Sequence, residues 1–129
     1  MKPTQVVVMI DDDAARGRLV ATELTTMPFP VKRLFFVSAP GHPVTRGGHV
    51  TTCEELVCLI SGSALIRTSV MHEHVVQTTE HLLSRAGDSC VLSEGTFIEY
   101  ELQTPTSEIL VFASDTYQPL RSERIPSDD

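Results

Sequence analysis

The sequence predicts an all-β protein closed into a sandwich or barrel, and two observations carry that expectation. Short β-branched and apolar runs recur at a spacing of about ten residues. Between them stand Asp-rich, Pro/Gly and Ser-Gly breaks, which are turn chemistry. Many short strands at such a spacing fold as two packed sheets or one closed sheet.

Taken in order, the first run is Val6–Ile10, ended by three aspartates. Arg18–Leu24 and Val31–Ser38 follow, separated by the Pro-Phe-Pro segment. After the "APGHPV" loop and the turn signal "RGG" come His49–Thr52 and Glu55–Ile60. A Ser-Gly turn leads into Ala64–Val70, and "HEH" at His72–His74 leads into Val75–Thr79, so the two histidines should flank a hairpin tip. Glu80–Ser84 is the single segment read as a helical turn, and His81 within it as structural. Ser89–Leu92, Thr96–Leu102 and Glu108–Ala113 complete the set, each preceded by Gly, Pro or Ser-rich breaks. Val6–Ile10 has no obvious hairpin partner, and free strand edges tend to be covered, so a second subunit is expected there.

No repeat, linker or shift in composition divides the chain. At 129 residues it reads as a single domain over 1–118 with a polar, acidic tail over 119–129. A net charge of -7 excludes a phosphate-backbone binder, so no nucleic-acid partner is expected. Any anionic ligand then needs a local arginine cluster. "VVVMI" is far too short to span a bilayer and follows no leader pattern, which points to the cytoplasm and no membrane. Three cysteines without a CxxC pair fit reduced, packed thiols.

Two stretches invite closer reading. In "HVTTCEEL" the two-residue period of a strand puts His49, Thr51, Cys53 and Glu55 on one face, a small polar cluster of the kind that lines an interior site. The run "LVCLI" after it predicts burial on both faces. His42, in the loop just before, is a further candidate beside a barrel mouth.

The spacing of His49, Glu55 and Gly62 follows the first motif of the cupin superfamily, small jelly-roll β-barrels also called double-stranded β-helices. Thr51 stands where that motif has its second histidine. The second motif is echoed by Gly87, Ser93 and Gly95, with Ile98 in place of its histidine. Two donors fall short of the three that a catalytic metal needs, so no metal and no cofactor are expected.

Within that superfamily four segments resemble one RmlC-like branch, the dTDP-4-keto-6-deoxyglucose 3,4-ketoisomerases (FdtA-like, or WxcM C-terminal-like). They are "DDAARGRLVATEL", "MPFPVKRLFFV", "RGGHVTTCEELVCLISGS" and "ILVFASDTY". The resemblance implies a homodimeric, metal-independent isomerase of deoxysugar biosynthesis acting on a dTDP-linked 4-keto sugar. It implies that His49, at the family's first active-site histidine, moves a proton between C3 and C4. With the family's second histidine replaced, Glu55, His42 and Tyr100 are the candidates to help it. Arg16, Arg33 and Arg46 are the candidates for the diphosphate, because guanidinium forks match phosphate oxygens. Thr51 and Phe97 stand where the family has a histidine and a tryptophan, and the strand that carries its tyrosine has Phe35 and Phe36 here; Thr51, Phe35 and Phe97 are expected to line the substrate site. Two other readings stay open. One is a repurposed cupin that isomerises or cyclises a less polar molecule held among Phe35, Phe36, Phe97, Thr51 and Ile98. The other is a small-ligand binder without catalysis.

Overall fold

A computed structural model describes residues 8–118, and the tail expected over 119–129 lies outside them. Ten antiparallel strands and one short 3-10 turn, Leu24–Thr26, make up the regular structure. In chain order the strands are β1 (Val8–Asp13), β2 (Gly17–Thr22), β3 (Arg33–Ser38), β4 (Val44–Val50) and β5 (Glu55–Ser61). They continue as β6 (Ala64–His72), β7 (Val75–Leu83), β8 (Ser89–Leu92), β9 (Phe97–Leu102) and β10 (Glu108–Ala113). One four-stranded sheet runs β3-β10-β5-β8, the other β4-β9-β6-β7, and β1-β2 forms a separate hairpin. Neighbours far apart in sequence within both sheets give the predicted all-β jelly roll.

Two apolar layers hold these sheets. Between them lies a core that includes Val57, Leu59, Ile66, Leu92, Ile98, Leu102, Ile109 and Val111, all 2% exposed or less. On the outer side of β5 and β10, Leu56, Cys58, Ile60, Leu110 and Phe112 pack against Met27, Phe29 and the β1-β2 hairpin. Arg18 donates to Asp12 across the hairpin and to the Ile60 carbonyl beneath it. The run "LVCLI" is therefore buried on both faces, as expected, and the covering layer comes from the same chain. Burial pushes the Cys58 thiol up to about 11 and that of Cys90 to about 12, so both remain protonated packing groups.

Four sequence expectations need correction. Val8–Asp13 is not partnerless, because it pairs along its whole length with Gly17–Thr22, and the aspartates belong to the strand. "RGG" is not a turn: Gly47 and Gly48, with φ of 95° and 77°, form a bulge inside β4, which begins at Val44 rather than His49. The "HVTTCEEL" segment is not one strand, since pairing stops at Val50 and resumes at Glu55. Glu80–Ser84 is not helical; β7 continues to Leu83 because Leu83 pairs with Ala64 and His81 with Ile66.

Other turns behave as their residues demand. Glu73 and His74, both at positive φ, join β6 to β7 in a two-residue connection, so "HEH" does sit at a hairpin tip. Gly62 has φ of 72°, and a Cβ there would stand 2.5 Å from the hydroxyls of Ser107 and Thr104. Only glycine closes that turn.

Candidate active site

One cavity of about 330 Å³ opens near the end of the barrel where β3, β4 and β9 meet the start of β5. The strand period places its wall. In β3, Arg33, Phe35 and Val37 turn inward and are half-buried, while Leu34, Phe36 and Ser38 are exposed; Phe36 and Ser38 nevertheless reach the cavity mouth. In β4, Arg46 lies opposite Tyr100 of β9. The bulge at Gly47 and Gly48 then shifts the register, so that His49 pairs with Ile98 and its ring still faces the cavity. A Cβ on Gly47 would stand 3.0 Å from the Ile98 carbonyl oxygen, so the bulge needs glycine. Arg33, Ala113 and Glu55 lie in one row across β3, β10 and β5, which brings a charged pair to opposite sides of the same wall.

The chemistry follows from burial. His49 is held below its ordinary pKa, first by desolvation and then by the Arg33 guanidinium, so it rests as a neutral imidazole. Glu55, 5% exposed, is pushed up by desolvation, while Tyr100 and Arg33 pull it partly back. The Tyr100 hydroxyl donates to Glu55 Oε1 at 3.3 Å, and this bond crosses from one sheet to the other. Burial, followed by the neighbouring Glu55, raises the Tyr100 phenol well above its usual range and keeps its proton in place. Arg33 lies 4.7 Å from the Phe35 ring centroid and 5.1 Å from that of Tyr117, so two aromatic rings hold the guanidinium.

Of the residues expected at the site, His49, Glu55, Tyr100, Arg33, Arg46 and Phe35 converge on the cavity. The others do not. Arg16 sits on the β1-β2 hairpin and pairs with Asp13 at 2.9 Å. His42 is exposed in its loop, with Nδ1 3.0 Å from the Pro43 carbonyl oxygen. Phe97 and Ile98 are buried away from the cavity. Thr51 points elsewhere because its hydroxyl donates to the Ser93 carbonyl at 2.7 Å and accepts from the Thr96 N–H at 3.0 Å. It fastens the β4-β5 connection to the β8-β9 connection. Sequence reasoning missed Ser38, Thr52 and Thr116 on the lining and Tyr117 on Arg33, and no local pattern marks those four.

With Thr51 engaged by backbone and Ile98 in the core, His49 and Glu55 are the cupin-motif donors that remain. Among the described residues no three His, Cys, Asp or Glu side chains converge as a ligand group.

Residues 3–122 match the family model described as FdtA: WxcM-like, C-terminal. No curated protein matches the chain in sequence. Several solved structures share its fold. A 3,4-ketoisomerase from Helicobacter canadensis has a TM-score of 0.67 at 24% identity, over 90% of this chain and 86% of that one. The WlaRB TDP-quinovose 3,4-ketoisomerase from Campylobacter jejuni has a TM-score of 0.63 at 25% identity, over 86% and 83%. QdtA, a sugar 3,4-ketoisomerase from Thermoanaerobacterium thermosaccharolyticum solved in complex with TDP, has a TM-score of 0.68 at 20% identity, over 92% and 85%. A match that spans residues 3–122, nearly the whole sequence, makes the chain a member of the FdtA family, WxcM-like, C-terminal.

Proposed function

We propose that the protein is a metal-independent 3,4-ketoisomerase acting on a dTDP-linked 4-keto-6-deoxy sugar. The observation that carries this reading is a neutral, half-buried His49 in a cavity that also presents two arginines. A hydrogen on the carbon next to a ketone is acidic enough for a tuned base to remove, and imidazole titrates in the right range. His49 takes the C3 proton, an enediol forms, and the same imidazolium returns a proton to C4. Arg33 and Arg46 hold the diphosphate, Arg33 kept in place by its two aromatic neighbours. The cavity volume sits at the lower end of the range for ligand pockets, on the order of 300–1,000 Å³, and suits a sugar ring with its nucleotide along the rim. The location that goes with this chemistry is the cytoplasm, where thiols such as Cys53, Cys58 and Cys90 stay reduced.

Thermal melting with thymidine diphosphate tests the nucleotide half of the proposal. Saturating ligand should raise the melting temperature, since binding to the native state at a hundredfold excess over Kd adds about 2.7 kcal/mol. No shift at millimolar nucleotide would overturn it. Phe35, Phe36 and Val37 on the wall would then favour the second reading, a less polar ligand.

We also propose a homodimer. The family resemblance supports it, and so do Leu34 and Phe36, 50% and 58% exposed on the outer face of edge strand β3. Sedimentation equilibrium should return twice the chain mass of 14.2 kDa; a monomer at micromolar concentration would contradict it.

A further inference from the structure

Ketoisomerisation moves two kinds of proton. One leaves C3 and arrives at C4, and His49 accounts for it. The other must reach O4 as the enediol forms and must leave O3 as the new ketone forms. A single group that first donates and then accepts returns to its starting state and serves both steps. The sequence offers no second histidine at Thr51 and no tyrosine at Phe35 or Phe36 for this role.

We propose that Glu55 is that group, a catalytic carboxyl that carries the proton between the two sugar oxygens, with Tyr100 as its positioning residue. The inference rests on the ketoisomerase reading above. Its first support is the division of labour between the two oxygens of Glu55. Oε1 accepts the Tyr100 hydroxyl at 3.3 Å. Oε2 has no partner among the described residues, yet no buried polar side-chain atom is left without one. Oε2 is therefore the oxygen open to the cavity, which Glu55 lines. Its second support is that the Tyr100 hydroxyl has one hydrogen and gives it to Glu55, so the phenol cannot itself protonate substrate. The third is burial, which shifts Glu55 toward the neutral form that can donate.

The steps balance. As His49 removes the C3 hydrogen, the C–H pair becomes the C3–C4 double bond. The C4 carbonyl π pair takes the proton from Glu55 Oε2, leaving an enediol, an imidazolium and a carboxylate. In the second half the carboxylate removes the O3 proton. The O3 pair forms the new carbonyl, and the double bond takes a proton from imidazolium at C4. Both groups end as they began.

The titratable and charged groups that line the cavity with this carboxyl are Arg33 from β3, Arg46 and His49 from β4, Tyr100 from β9 and Cys53 from the connection before β5, and Cys90 of β8 acts on Tyr100; of these, Arg33 and Tyr100 act on Glu55 directly. Donation needs protonated Glu55, so activity falls as pH rises through its pKa. The Tyr100 bond favours the charged form. Tyr100→Phe should therefore raise that pKa and move the basic limb of kcat/KM to higher pH.

The experiment compares the unaltered protein with Glu55→Gln and Tyr100→Phe, using NMR to follow conversion of dTDP-4-keto-6-deoxyglucose. Circular dichroism and the thymidine diphosphate melt check each variant. Glu55→Gln can still accept the Tyr100 hydrogen bond, so native spectra and the nucleotide shift should persist while turnover drops at least ~100-fold. Tyr100→Phe should keep measurable turnover with its basic limb displaced upward. Turnover of Glu55→Gln within threefold of the unaltered protein overturns the shuttle alone, and so does an unmoved limb in Tyr100→Phe. No turnover by the unaltered protein overturns the ketoisomerase reading and the shuttle with it.

Discussion

Replacing His49 with asparagine should lower isomerisation by roughly 10²–10⁴-fold, the usual contribution of a positioned general base. Asparagine keeps a polar group beside Arg33 but cannot take a proton from carbon. The same variant should lose deuterium incorporation at C3 when the keto sugar is incubated in D2O, because that exchange requires the C–H bond to break. Nucleotide binding should persist, since the diphosphate is assigned to Arg33 and Arg46, which remain. Undiminished exchange in His49→Asn would remove this residue from the mechanism. The pH profile supplies a second check with a definite sign. Desolvation and Arg33 both hold His49 below its ordinary value of 6.5. The imidazole is the active form, so activity is lost as pH falls, and the acidic limb should lie below 6.5. A limb above that value would contradict a buried base next to a cation.

Thr51→Val should be costly for stability and nearly silent at the site. The substitution keeps the shape and removes the hydroxyl, leaving the Ser93 carbonyl and the Thr96 N–H without their partner. Thr51 is 2% exposed, so water cannot readily replace it. An unsatisfied buried group costs about 1–3 kcal/mol, so two of them should remove roughly 2–6 kcal/mol. Urea denaturation would read this as a lower midpoint at unchanged slope. Residual folded protein should still bind nucleotide and isomerise at close to the normal rate, because Thr51 does not line the cavity. A stable Thr51→Val protein with impaired turnover would instead make Thr51 a site residue.

These two residues show where sequence reading works and where it stops. His49, Glu55 and Gly62 are spaced by the local course of two strands and the turn between them, so a motif can find them. Thr51 belongs to the same motif, and a motif places it at the site. Its side chain is turned away by partners more than forty residues distant in sequence. The arginines divide in the same manner. Arg16, Arg33 and Arg46 look alike along the chain, but Arg16 is taken by Asp13 within its own hairpin, while strand pairing brings the other two to the cavity. The three glycine-marked positions also differ in kind. Gly62 closes a turn as glycines commonly do, whereas Gly47 and Gly48 sit within a continuous strand and re-aim His49.

By itself the sequence determined the all-β sandwich-or-barrel class and most strand positions, because alternation, β-branching and turn residues act over a few neighbours; the jelly roll was implied by the resemblance to the cupin motifs. It also marked "LVCLI" as buried on both faces, since an unbroken apolar run has no side to give to water. Only the tertiary structure decided what covers that run, that Val8–Asp13 finds its partner in Gly17–Thr22, and that Glu55 meets Tyr100 across the gap between sheets. Those outcomes depend on register, bulges and the packing of strands distant along the chain, and a short-range pattern carries no record of them.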